Sequence, residues 1–123
     1  MSTGLPVTLT IHGEPASKAN SRQIVTIRGR PAVIKSKKAR LYVAEFAAQC
    51  PKIEPLLDGD LIATIHIFYR TRRPDLDASV VLDCLQNRVI ENDRQFKELH
   101  LYHGIDRENP RAEISITKKA LSE

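Results

Sequence analysis

Residues 61–69, LIATIHIFY, run without a break into residues 70–95, RTRRPDLDASVVLDCLQNRVIENDRQ, and how this stretch is read decides the fold. In its first part Ile62, Thr64, His66 and Phe68 alternate with Leu61, Ala63, Ile65, Ile67 and Tyr69. That is the two-residue period of a strand, and because both faces are largely apolar the strand belongs in the centre of its sheet. His66 then reads as a strand histidine rather than a general base. The strand runs into Arg70, Arg72 and Arg73, and an acidic cluster follows.

The chain emerging from Pro74 favours an extended Asp75-Leu76-Asp77, with both carboxylates on one side and Leu76 on the other. Two carboxylates so placed make a cation site or a proton-sharing pair. A helix over about residues 78–87 follows, with Val80, Val81, Cys84 and Leu85 on one face, Leu82 at its margin, and Ser79, Asp83, Gln86 and Asn87 opposite. Such a helix carries the chain roughly 15 Å away, and an extended return to Asp93 covers roughly 20 Å. Asp93 is therefore within reach of Asp75 and Asp77. Mg²⁺ takes few protein carboxylates, keeps waters and completes its shell with phosphate, so three converging aspartates flanked by arginines suit phosphodiester chemistry. Plain structural roles stand beside this reading: Asp77 as a helix cap, Asp75 in a turn with Pro74, and Glu91-Asn92-Asp93 as a solvated loop.

Working outward, Val7, Leu9 and Ile11 alternate with Thr8, Thr10 and His12 as in a half-buried strand. Residues 13–22 form a loop in which Lys18 and Arg22 are candidate phosphate contacts. Gln23–Arg28 and Pro31–Lys35 are β-rich around Gly29-Arg30, which predicts a hairpin with Arg28 and Arg30 at its tip, placed to lie along DNA. Ser36 is the N-cap of a helix that runs from Lys37 to Cys50 and stops at Pro51. On it Lys38, Tyr42, Glu45 and Gln49 form a narrow polar face, and most of the remaining circumference is apolar. Arg40 falls in the apolar arc, where it either extends outward to water or reaches a carboxylate or phosphate. Lys37 and Lys38 occupy the first turn, unfavourable for cations on dipole grounds, a mismatch that a bound polyanion would offset. Beyond the central stretch, Glu98–Ile105 and Arg111–Lys118 read as a terminal hairpin joined by residues 106–110.

At 123 residues the chain fits one domain over residues 1–123, with a core that needs neither disulfide nor structural metal. Its formal charge of +4 is concentrated: residues 1–40 carry eight Lys or Arg against a single acid, Glu14. That half is the place for a polyanion footprint. Cys50 and Cys84 lack CxxC spacing and fall on apolar helix faces, which argues against zinc and for reduced, buried thiols in a cytoplasmic protein. The start has neither the charge nor the apolar run of a signal peptide, and no segment reaches transmembrane length.

RPDLD followed by LDCLQNRVIENDRQ resembles the central signature of the RusA family of Holliday junction resolvases, endonucleases of phages and prophages that cut four-way DNA junctions. The resemblance extends more weakly over nearly the whole chain: the opening strand with its Gly-x-Pro and basic loop, the Arg-x-Tyr helix start, and the final strand after Pro110. It implies that Asp75, Asp77 and Asp93 are the catalytic and metal-binding carboxylates, and that the cofactor is Mg²⁺, with Mn²⁺ able to stand in. It also implies a homodimer whose symmetry suits paired cuts. Three positions depart from the pattern. Ala78 stands where the family has Asn, the family's helix lysine falls on Val81 or Ser79, and the first acid of the later pair is Asn92. The helix is two residues shorter, which rotates later positions by about 200° and leaves Asp83 at most a supporting residue. Arg73, Arg94 or a lysine of the N-terminal loop are the candidates to replace the lysine.

The element order points to an α+β single domain, a largely antiparallel or mixed sheet packed against two helices. The function expected is a Mg²⁺-dependent endonuclease that resolves four-way junctions by paired symmetric nicks in DNA recombination and repair. Lys18, Arg22, Arg28, Arg30, Lys37, Lys38, Arg40, Arg72, Arg73 and Arg94 would contact the DNA. The alternatives are a non-catalytic branched-DNA-binding protein, a nuclease for other branched DNA, and a basic domain that binds a protein partner.

Overall fold

In chain order the elements are β1 (Val7–His12), β2 (Arg22–Ile27), β3 (Arg30–Lys35), α1 (Lys37–Gln49), β4 (Leu61–Tyr69), α2 (Ser79–Leu85), β5 (Phe96–Ile105) and β6 (Arg111–Lys118). The computed structural model describes residues 6–16 and 22–119. Strands β1, β6, β4 and β5 lie side by side in that order, with β4 interior as its sequence requires. Leu61, Ala63, Ile65, Ile67 and Tyr69 of β4 are wholly buried and pack with Ile11, Phe46, Val81, Leu85, Ile114 and Ile116. On the other face His66 stacks on Phe68 with ring centroids 4.1 Å apart, and Arg111 covers the same Phe68 ring at 4.0 Å. Gly104 makes this possible: a Cβ there would lie 2.6 Å from the Phe68 ring.

The terminal strands do not form the expected hairpin. β5 pairs with β4 in parallel and β6 pairs with β4 antiparallel, so β4 separates them. The five residues 106–110 span two strand spacings, roughly 10 Å, over the end of β4. Asp106 N–H donates to the Tyr69 carbonyl at 2.8 Å there. A short link reads locally as a hairpin; the apolar β4 inserts because its backbone needs partners on both edges.

Three smaller expectations also shift. The β2–β3 turn is Arg28-Gly29 rather than Gly29-Arg30, with φ of 52° and 78°. Two-residue hairpins favour left-handed conformations at both central positions, and placing Gly second satisfies the more demanding one. The helix expected over 78–87 is confined to Ser79–Leu85, and Asn87 turns left-handed at φ 67°. Helix α1 is capped by Ser36 Oγ, which accepts from Ala39 N–H, but its buried residues are Ala39, Tyr42 and Phe46. Tyr42, placed on the polar face by sequence, is only 3 % exposed and meets Phe46 edge-on, while Leu41 is 56 % exposed. In an alanine-rich helix the large rings decide which face is buried.

Candidate functional site

Tyr69 ends β4 on the helix-covered face, and its hydroxyl shapes the Asp-x-Asp segment. It donates to the Asp75 carbonyl at 3.2 Å and accepts from Asp77 N–H at 3.3 Å. Burial pushes the Tyr69 pKa up; the Asp77 N–H opposes this, and the charges of Asp77, Glu14 and Asp75 add to it. The hydroxyl therefore stays a neutral donor through the physiological range. Leu76 packs against the core, Asp75 is exposed and Asp77 is half-buried. Replacing Tyr69 with Phe leaves the part-buried Asp77 N–H without its acceptor. We expect a loss of about 1–2 kcal/mol in urea unfolding.

The two readings of Asp77 divide between its two oxygens. Oδ1 accepts from Ser79 N–H at 3.0 Å and from the Ser79 hydroxyl, the local structural role. The α2 N-cap itself is Ala78, which makes no side-chain bond. Oδ2 is buried and has no hydrogen-bond partner among the described residues. A buried, unsatisfied carboxylate oxygen costs on the order of 1–3 kcal/mol or more.

Glu14 was not among the residues singled out from sequence. Its Oε2 accepts from Arg70 N–H at 2.8 Å, its Oε1 accepts from Lys38 Nζ at 3.3 Å, and its side chain is 13 % exposed. It ties the loop after β1 and the start of α1 to the chain leaving β4. The available signal was its solitude, one acid among eight cations in the first 40 residues.

Asp93 lies elsewhere. It opens a 3-10 turn, Asp93–Gln95, immediately before β5. Phe96 pairs with Leu61, whereas Asp75 and Asp77 follow Tyr69, which pairs with Ile105. Because β4 and β5 are parallel, the two acidic segments leave opposite ends of a ladder about 26 Å long. Among the described residues no three His, Cys, Asp or Glu side chains gather so as to hold a metal. Thus one chain holds the backbone of Asp75 and Asp77 at the Tyr69 hydroxyl and does not bring Asp93 to them. The reach estimate allowed a return; the parallel crossover directs that return to the far end.

Gln95 fixes the turn that presents Asp93. Its Oε1 accepts from Glu91 N–H at 2.9 Å and Asn92 N–H at 3.0 Å, and its Nε2 donates to the carbonyls of Leu57 at 3.0 Å and Gly59 at 3.1 Å. Asn92 Oδ1 accepts from Arg94 N–H at 2.8 Å. Asn caps a turn as well as Asp does, so Asn92 serves the turn in its own right. Gln95→Ala removes four partly solvated bonds. We expect about 2–3 kcal/mol of destabilisation, read from the urea midpoint.

Arg22, Arg28, Arg30, Lys37, Lys38, Arg40, Arg72, Arg73 and Arg94 are all exposed. Lys18 lies outside the described residues. Arg40 extends outward and is exposed, the first of the two expectations made for it, and its Nη1 donates to the Lys35 carbonyl at 2.6 Å. Asp83 is exposed and lines a groove between α1 and α2 with Lys52 and Arg88. The Arg88 guanidinium donates to the carbonyls of Ala47 and Cys50 and closes the end of α1. Cys50 and Cys84 are free thiols whose pKa values are raised chiefly by burial, that of Cys84 to about 11. His66 faces away from Tyr69 across the sheet, so it serves packing. No helix among the described residues is long and apolar enough to cross a membrane.

The family model described as Endodeoxyribonuclease RusA matches residues 12–117. A search of curated proteins gave no match. The matched span contains Glu14, Tyr69, Asp75, Asp77, Asp93 and Gln95 and takes in both helices and most of the four-stranded sheet. The chain belongs to the RusA endodeoxyribonuclease family.

Proposed function

We propose that this protein is a Mg²⁺-dependent endonuclease that resolves four-way DNA junctions, with Asp75 and Asp77 as the core of its cation site. Family membership implies nuclease action on Holliday junctions. The observation that carries the residue assignment is Asp77 Oδ2, a buried carboxylate oxygen without a partner among the described residues, next but one in sequence to the exposed Asp75. A hard cation that needs one or two carboxylates, waters and a phosphate fits that donor set, Mg²⁺ first and Mn²⁺ as a substitute. When bound, such an ion supplies an activated water and neutralises charge at the scissile phosphate. Tyr69 sets the backbone between the two carboxylates, Ser79 holds Asp77 by its other oxygen, and Glu14 anchors the segment at Arg70. Arg73, exposed and two residues before Asp75, suits the role of the missing helix lysine. Arg94 instead shares the far end of the β4–β5 ladder with Asp93.

Asp93 enters this reading across a subunit boundary. In a homodimer the Asp93 end of one ladder meets the Asp75–Asp77 end of the other, and twofold symmetry then makes two equivalent sites for two symmetric cuts. The deciding assay is a four-way junction with immobile arms, incubated with the pure protein and Mg²⁺. Paired nicks at symmetric positions are expected; tight binding without any nick would overturn the nuclease assignment. The separation of Asp93 from the pair within one chain favours a second reading, a branched-DNA-binding protein that does not cut. Junction affinity indifferent to chelator, with no products, would be its mark.

A further inference from the structure

We propose that the β2–β3 hairpin is an apolar prong that enters the branch point of bound DNA and stacks against bases unpaired there. This inference rests on the branched-DNA reading above and adds how the branch is recognised. The hairpin forms its own two-stranded sheet, separate from the main one. Ile24 and Val33 are cross-strand partners and therefore share a face, and they are 75 % and 64 % exposed. Ile27, next to the turn and on the opposite face of the hairpin, is 51 % exposed. Large apolar side chains clustered in water mark a contact surface.

Charge says what that surface meets. Arg22 pairs with Lys35 at the root, Arg28 sits in the turn and Arg30 follows it. No acid occurs between residues 22 and 40. An apolar face ringed by cations alone repels a second copy of itself and attracts a polyanion. In DNA, apolar surface flanked by phosphates is found on base faces, which a duplex hides and a branch point opens.

The hairpin is also tied to the acidic segment. Arg40 holds the Lys35 carbonyl, Ser36 caps α1, and Lys38 binds Glu14, which holds Arg70 N–H on the approach to Asp75. A prong rooted there would register the branch relative to the carboxylates.

The test compares the wild-type chain with the double variant Ile24→Ser, Val33→Ser. Binding is measured in EDTA to a four-way junction and to a duplex of the same sequence, with 2-aminopurine placed at the branch point. The wild type is expected to raise 2-aminopurine fluorescence. The variant is expected to abolish that rise and to lose about tenfold in junction affinity, with duplex affinity within about twofold of wild type. The conservative pair Ile24→Met, Val33→Leu should keep both, and an unchanged thermal midpoint certifies the fold; the two single serine variants serve if the double variant unfolds. Unchanged junction affinity and fluorescence would overturn the prong, as would equal losses on junction and duplex. Loss of self-association in sedimentation would identify the hairpin as a subunit contact and overturn it too. A wild-type chain that binds no branched DNA would sink the proposed function and the prong together. A wild type that cuts junctions while the serine variant binds them equally well would sink the prong alone.

Discussion

Asp77→Asn should lower the single-turnover rate of junction cleavage by about a thousandfold or more, the several kcal/mol that loss of a metal carboxylate removes from the transition state. The same substitution should leave the protein as stable as the wild type or more so. The asparagine carbonyl can still accept from Ser79 N–H, so the local turn survives. The buried Oδ2, which has no partner among the described residues, is replaced by an amide group, which is less costly to bury than a carboxylate. Mg²⁺ should raise the wild-type unfolding midpoint by binding the native state, and this rise should vanish in the variant. A variant that cuts within tenfold of wild type would reduce Asp77 to a turn residue. Parallel losses of stability and activity would favour the capping role over the cation role.

Mixing two inactive proteins should restore activity. If Asp93 serves the site of the opposite subunit, a dimer of one Asp77→Asn chain and one Asp93→Asn chain holds one intact site and one doubly damaged site. Equal mixing with free exchange makes half the dimers mixed, so about one quarter of wild-type sites return. Each mixed dimer has a single working site, so the product should be nicked junctions rather than resolved duplexes. Each parent alone should remain near background. No recovery after verified subunit exchange would place Asp93 outside the site, or confine all three carboxylates to one subunit through a rearrangement.

Much of the architecture was legible because it is written in short-range pattern. The alternation from Leu61 to Tyr69, the serine cap of α1 and the stop at Pro51 each follow from local chemistry. The pairing of β5 was not legible, because a strand's choice of neighbour depends on which edge is open, and residues 106–110 carry a turn-like composition whether they close a hairpin or arch over a third strand. Tyr42 was misplaced because a helical plot weighs its hydroxyl equally with its ring.

For the candidate site, the sequence offers residues and not their geometry. Asp75 and Asp77 are close in sequence, and their proximity needs only an extended backbone. The position of Asp93 depends on the direction of β5, which chain-length arithmetic cannot supply. Glu14, Tyr69 and Gln95 act through backbone groups of other segments, contacts that leave little mark in spacing or charge.

The parallel ladder of β4 and β5 has one more consequence. Hydrogen-bonded strands neither stretch nor slide, so the ladder behaves as a ruler with an acidic mark at each end. In the two-subunit arrangement proposed above, the interval between the two incisions would be set by the number of paired residues rather than by the posture of loops. Lengthening both strands by two residues would move the marks apart by about 7 Å, roughly two base steps of DNA.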